Sequence, residues 1–203
     1  MRKILILAAI MLLTLNLFAE NPRDEAVQSL DNAKQLLQKD QYVQAQDEIN
    51  FALSKISEIL AEQLLKFIPE APAGFKLEDK DSQALGQAGA IIGGANTITA
   101  TATYTKDDAE LKLQIMIGGS LGGSSGLMGL ATMFGGMGNA GKTVRVKGYN
   151  GNQQFDKDES SGTLTVNVGS KITVMVTGED IDNPALMTAI AEAVDMATLE
   201  KSF

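Results

Sequence analysis

Between Thr97 and Ile117 the chain alternates polar and apolar residues with a period of two. Ile98, Ala100, Ala102 and Tyr104 are interleaved with Thr97, Thr99, Thr101, Thr103 and Thr105. After Lys106-Asp107-Asp108, residues Leu111, Leu113, Ile115 and Ile117 alternate with Glu110, Lys112, Gln114 and Met116. A period of two places every second side chain on one face of a strand, and β-branched residues suit a half-buried pleated surface. The pattern predicts a β-hairpin with one apolar face and excludes an all-helical fold. Alternation on one side only argues for an antiparallel sheet, because strands of a doubly wound sheet are buried on both faces and read as continuous apolar runs.

The same pattern returns downstream. Val144 and Val146 alternate with Thr143, Arg145 and Lys147; Asn150-Gly151 reads as a turn, with Gln153–Phe155 as a short partner strand. Asp156 to Gly162 is a polar loop. Leu164, Val166 and Val168 pair, across a two-residue Gly169-Ser170 loop, with Ile172, Val174 and Val176. A short strand is expected near Phe75–Leu77, and the sheet as a whole is expected to have about five to six well-formed strands. Asp182-Asn183-Pro184 opens a last helix whose stripe of Leu186, Ile190, Ala193, Val194 and Ala197 is the natural cover for the apolar face.

Residues 23–68 carry helical spacing instead. Val27, Leu30, Ala33 and Leu37 recur on one helical face, Lys39-Asp40-Gln41 interrupts, and Ile49, Ala52, Leu53, Ile56, Ile59, Leu60, Leu64 and Phe67 form a second stripe before Pro69 and Pro72. The fold class is therefore α+β: an N-terminal helical hairpin over residues 20–69, then an α+β domain over residues 70–203 with a one-sided antiparallel sheet covered by a C-terminal helix. The segment from Ala26 to Leu53 looks like one tetratricopeptide unit. Stacked repeats need several units, and no second copy follows, so the hairpin is expected to dock on its own domain or on a twin chain as a homodimer.

The first residues read as an address. Met1-Arg2-Lys3 is basic, Ile4 to Leu17 is mostly apolar, and Leu17-Phe18-Ala19 offers a small residue before Glu20. This is the layout of a secretory signal peptide over residues 1–19, and the run is shorter than the roughly 20 residues of a spanning helix. The expectation is export through a cleavable signal peptide to a bacterial periplasm.

Missing residue types narrow the activities. The chain has no Cys and no His. Disulfides, thiolate nucleophiles, Ser–His–Asp triads and His-based metal sites are excluded. A net charge of -8, with Lys and Arg scattered singly, argues against nucleic acid, which wants a basic stripe. No enzyme, cofactor or metal is expected. A carboxylate-based envelope hydrolase is the catalytic alternative, but the acids sit where turns and helix starts expect them: Asp107/Asp108, and Glu179, Asp180 and Asp182. Asp156, Asp158 and Glu159 fail the calcium-loop spacing, since Gly162 comes one place late and Asn167 stands where Glu is required.

Gly136 to Thr143 matches the phosphate-loop pattern G-x-x-x-x-G-K-[ST] letter for letter. Such a loop needs a strand before it and a helix after it, whose N-terminus holds the phosphate. Here Gly and Met precede it and Thr143–Lys147 alternates as a strand, so nucleotide binding is rejected. The surrounding stretch, residues 118–141, holds half of the chain's 20 glycines and no charge. Leu121, Leu127, Met128, Leu130, Met133, Phe134 and Met137 lie between them. One reading is a crossover packed on the sheet. The other is an adaptable apolar contact for a lipid, an apolar ligand or an envelope protein, because unbranched Met side chains repack around varied surfaces.

Four segments carry a resemblance: Phe67-Ile68-Pro69-Glu70-Ala71-Pro72-Ala73-Gly74-Phe75, Ala102-Thr103-Tyr104, Val144-Arg145-Val146-Lys147-Gly148, and Ala193-Val194-Asp195-Met196-Ala197-Thr198-Leu199. In their order the chain resembles uncharacterised exported bacterial proteins that pair a signal peptide and a helical hairpin with a small α+β domain. The element order is also similar to the Mog1/PsbP-like α/β/α sandwich. That likeness implies a fold and a binding role by analogy, with no activity and no site residues. The expected function is thus a periplasmic, non-enzymatic binding or accessory protein, with a homo-oligomeric structural envelope protein as the alternative.

Overall fold

The computed structural model describes residues 21–85, 97–118 and 141–203. The chain divides into two compact units, Met1–Ile56 and Ser57–Phe203. The boundary falls inside the second helix.

In the first unit, helix α1 (Pro22–Leu37) starts where the Asn21 side chain accepts the Arg23 N–H at 3.1 Å, with Pro22 at the first helical position. Asp40, at φ +55°, turns the chain into α2 (Tyr42–Leu64). Glu25 of α1 and Lys55 of α2 pair at 2.8 Å, so the helices run antiparallel. The buried residues here are small: Ala26, Ser29 and Ala33 on α1, Ala45 and Ala52 on α2. Of the apolar stripes read from the sequence, Ala33 and Ala52 pack between the helices. Val27, Leu30 and Leu37, and Ile49, Leu53 and Ile56, are exposed. Helices packed through Ala and Ser need little volume between them, and the large residues one step round each helix stay outside.

The second unit holds the end of α2, a 3-10 turn (Leu65–Phe67) and seven strands: β1 (Lys76–Leu85), β2 (Thr97–Lys106), β3 (Ala109–Ile117), β4 (Lys142–Val146), β5 (Tyr149–Asp156), β6 (Ser161–Val168) and β7 (Ile172–Glu179). Helices α3 (Ala185–Ala193) and α4 (Met196–Ser202) close the chain. The sheet order is β1-β2-β3-β7-β6-β5-β4, with every neighbouring pair antiparallel. Two meanders, β1-β2-β3 and β4-β5-β6-β7, thus meet along the β3–β7 ladder.

The apolar alternation falls into rows across the strands. Ala102, Leu113, Val176 and Leu164 are successive partners, and Ala100, Ile115, Val174 and Val166 form the next row. This face is covered by Ala61 and Leu64 of α2, Met187, Ile190 and Ala191 of α3, Val194, and Met196 and Leu199 of α4, which join the strands in one core. Polar ties fix the helices: Gln153 Nε2 donates to the Pro184 carbonyl at 3.2 Å, Lys147 Nζ to the Val194 carbonyl at 3.3 Å, and the Tyr149 hydroxyl to Glu200 at 2.7 Å.

Five sequence expectations are corrected. The sheet has seven strands, not five to six, because the two segments read as short, near Phe75–Leu77 and at Gln153–Phe155, are full strands, β1 and β5; the polar β1 is held by backbone pairing to β2, which needs no apolar alternation. Asn150-Gly151 lies inside β5, and the turn before it is Lys147-Gly148, whose φ values of +49° and +90° suit a tight two-residue hairpin. Gly151 is kept small by the neighbouring strand: a Cβ there would meet the Thr165 carbonyl oxygen at 2.7 Å. The β6–β7 loop has three residues, Gly169 to Lys171, because Val168 pairs with Ile172. The C-terminal helix is two helices, since Val194 turns extended and the Asp195 carboxylate caps a new start by accepting the Thr198 N–H at 3.1 Å; Ala193 and Ala197 are therefore exposed. Finally, the sheet is not strictly one-sided. Thr99, Met116, Thr173 and Met175, on the face away from the helices, are also buried, and Met116 is the register partner of both Thr99 and Thr173.

Candidate functional site

The described residues with exposed large apolar side chains gather in one place. Of the ten such residues, nine fall between Val27 and Ile56; Leu77 is the other. Their exposures run from 37% at Ile49 and Ile56 to 71% at Val43. Isolated exposed apolar residues are ordinary, whereas a cluster marks a contact surface.

The geometry of the helical pair explains the clustering. An α-helix turns 100° per residue. On α1, Val27, Leu30, Lys34 and Leu37 lie one step round from the buried Ala26, Ser29 and Ala33. On α2, Ile49, Leu53 and Ile56 lie one step round from Glu48, Ala52 and Lys55. Because the helices run antiparallel, these steps lead to the same side of the pair. One side is therefore aliphatic, with Arg23 and Lys34 as its cations. The opposite side is a cleft of about 610 Å³ with a mixed lining, in which Gln28, Gln44, Asp47 and Glu48 stand beside Leu36 and Phe51. The Glu25–Lys55 pair also lies on that opposite side, with Lys55 Nζ 5.4 Å from the centre of the Phe51 ring.

Covering an aliphatic side chain completely gains about 1.5–3 kcal/mol, so a half-exposed one has about 1 kcal/mol left to gain. Val27, Leu30, Leu37, Ile49, Leu53 and Ile56 together make a patch able to support a specific contact. The sequence does signal this surface: the same residues form the helical stripes read above, on a hairpin expected to dock on its own domain or on a twin chain. The competing signal is the small-residue stripe beside them, which settles which face packs.

The other sequence-named residues are distributed as follows. Leu121, Leu127, Met128, Leu130, Met133, Phe134 and Met137 lie outside the described residues, as do Gly136 to Ala140 of the phosphate-loop pattern. Lys142 and Thr143 of that pattern open strand β4 and are exposed, so a strand and not a helix follows the glycines. In the acidic loop, Asp156 Oδ1 accepts the backbone N–H groups of Asp158 and Glu159 at 2.8 and 3.2 Å, which makes it a turn-forming group. Among the described residues no three Asp or Glu side chains converge as a metal-binding group. No described helix is long and apolar enough to cross a membrane.

Among the described residues four groups titrate away from their ordinary values, each for a local reason. Burial pushes the Tyr104 phenol up to about 12. Hydrogen bonds to Asp40 and Glu200 raise Tyr42 and Tyr149 respectively. The Thr198 hydroxyl and N–H hold Asp195 below the usual carboxylate range. These contacts serve turns, a helix cap and the core.

Compared with known proteins, the chain matches no family, no curated sequence and no solved structure.

Proposed function

We propose that the protein is an exported, non-enzymatic binding or accessory protein of the bacterial envelope, free in the periplasm once residues 1–19 are removed, and that the aliphatic side of its helical pair is its contact surface. The observation that carries this reading is the concentration of exposed large apolar side chains between Val27 and Ile56. Six exposed aliphatic residues on one side of a helical pair call for something to cover them. The stretch from Leu121 to Met137 is kept as a second apolar contact, for an apolar ligand or lipid.

The test is site-specific photocrosslinking in intact cells. A crosslinker in place of Val27 on the aliphatic side should give a discrete protein adduct, and one in place of Gln28 or Asp47 on the cleft side should not. Equal adducts from both sides, or none from Val27, would overturn the reading.

A further inference from the structure

We infer that the aliphatic side of the helical pair is covered by a second copy of this chain, the two pairs meeting about a two-fold axis as a four-helix bundle. This rests on the contact-surface reading above and names the partner. Three features of the surface point to self-pairing. The first is spacing. Val27, Leu30, Lys34 and Leu37 follow steps of three and four, as do Ile49, Leu53 and Ile56, and this is the seam of nearly parallel or antiparallel helices in bundles.

The second is charge. An interface about a two-fold axis must be complementary to itself. Arg23 and Lys34 lie on the aliphatic side of α1, and Asp24 and Asp31 lie one step further round, on its rim. Set α1 antiparallel to α1 of the second copy. Arg23 opposite Asp31 is then a pairing centred on residue 27, and Lys34 opposite Asp24 is one centred on residue 29. Both centres are within a turn of each other, so one axis passing the aliphatic side at the level of residue 28 serves both pairs and their two-fold mates. The aliphatic side of α2 from Tyr42 to Ile56 carries no charge that would oppose this register.

The third is the overall field. The two cations would also suit an anionic bilayer, but the whole chain carries -8 and is repelled by such a surface. A second copy is also repelled at long range, yet it brings an equal aliphatic patch, so one association event covers the stripe twice.

The experiment is sedimentation equilibrium on the protein as purified from an envelope fraction, with its intact mass recorded. The wild type should be a dimer. Leu30→Lys should weaken dimerisation about tenfold or more with an unchanged far-ultraviolet spectrum, since Leu30 is already half exposed. Lys34→Glu should weaken it, and adding Asp24→Lys to the same chain should restore it. The register is overturned if the second change does not rescue the first. The dimer is overturned by a monomer at every concentration, or by a dimer that Leu30→Lys leaves intact. Its failure can be separated from that of the contact-surface reading by Val27→Cys, the sole thiol in a chain without cysteine, probed with a maleimide in intact cells. A monomer whose thiol is protected keeps the contact surface and removes the twin. A monomer whose thiol reacts freely removes both. A monomer that binds anionic vesicles puts a membrane in the twin's place.

Discussion

Tyr104 joins the sheet to the segment leaving the helices, and its removal has an effect that should change sign with pH. The side chain is fully buried in the aliphatic face of β2, and its hydroxyl donates to the Pro69 carbonyl oxygen at 2.8 Å. Tyr104→Phe conserves almost all the volume, so no cavity forms. It removes one hydrogen bond and leaves a carbonyl short of a donor, a loss of about 1 kcal/mol. The phenol opposes this at high pH. Its ordinary value is 10.0, and burial raises it to about 12. The native state holds the proton to a higher pH than the unfolded chain does. The stabilisation is therefore complete below pH 10 and is lost as the pH rises toward 12. By about pH 11.5 the wild type has lost about 2 kcal/mol through phenol ionisation in the unfolded chain, a loss the Phe variant does not suffer. Urea unfolding followed by circular dichroism should show the wild type more stable by about 1 kcal/mol at neutral pH and less stable by a similar amount near pH 11.5. Tyr42 and Tyr149 are present in both proteins and cancel in the difference. A difference between the two proteins that stays constant across this range would refute the reasoning, since it would mean the phenol ionises as freely folded as unfolded.

Two further predictions follow from the strands and the last helices. Gly151→Val drives a Cβ against the Thr165 carbonyl on the adjacent strand and should cost about 1–3 kcal/mol by overpacking; urea midpoints that match the wild type would show that β5 shifts freely. Asp195→Asn should remove an acid-dependent part of the stability: the depressed carboxyl contributes above its ordinary 3.8 and loses that contribution as the pH falls through its lower folded value. Thermal melts of the two proteins should therefore converge in strong acid, and a constant gap in melting temperature would refute the assignment.

What could be read from residues alone depended on whether one physical demand governed the segment. The β2–β3 hairpin was legible because burial on one side and backbone pairing ask for the same alternation from Thr97 to Ile117. Strands β6 and β7 were legible for the same reason. Strand β1 was not: Glu78, Asp79, Lys80 and Asp81 are exposed, and the backbone ladder to β2 is blind to side chains. Asn150-Gly151 misled because a glycine suits both a turn and a place where a neighbouring carbonyl comes close. The helical pair misled most usefully. Two faces one residue apart both had helical spacing, one of Ala and Ser and one of Val, Leu and Ile. Hydrophobicity favours burying the second, but close approach of two helices favours the first. The expected site at Leu121 to Met137 lies outside the described residues, so the surface argued here rests on the helical stripes alone.

The order of the strands has a consequence for how the chain folds. Within each meander, partners are close in sequence and can find one another quickly. The β3–β7 ladder is different: Ile117 pairs with Ile172 and Glu110 with Glu179. Closing that ladder requires a long excursion of chain to be brought back, and its entropy is lost before any contact repays it. The two half-sheets can therefore form early and separately, each with an unfilled edge, and their union is the step that sets the folding rate. A chain caught before that step presents two free strand edges, β3 and β7, from its most apolar region. These edges, more than either outer edge of the finished sheet, are where a newly made copy is exposed to mispairing with another.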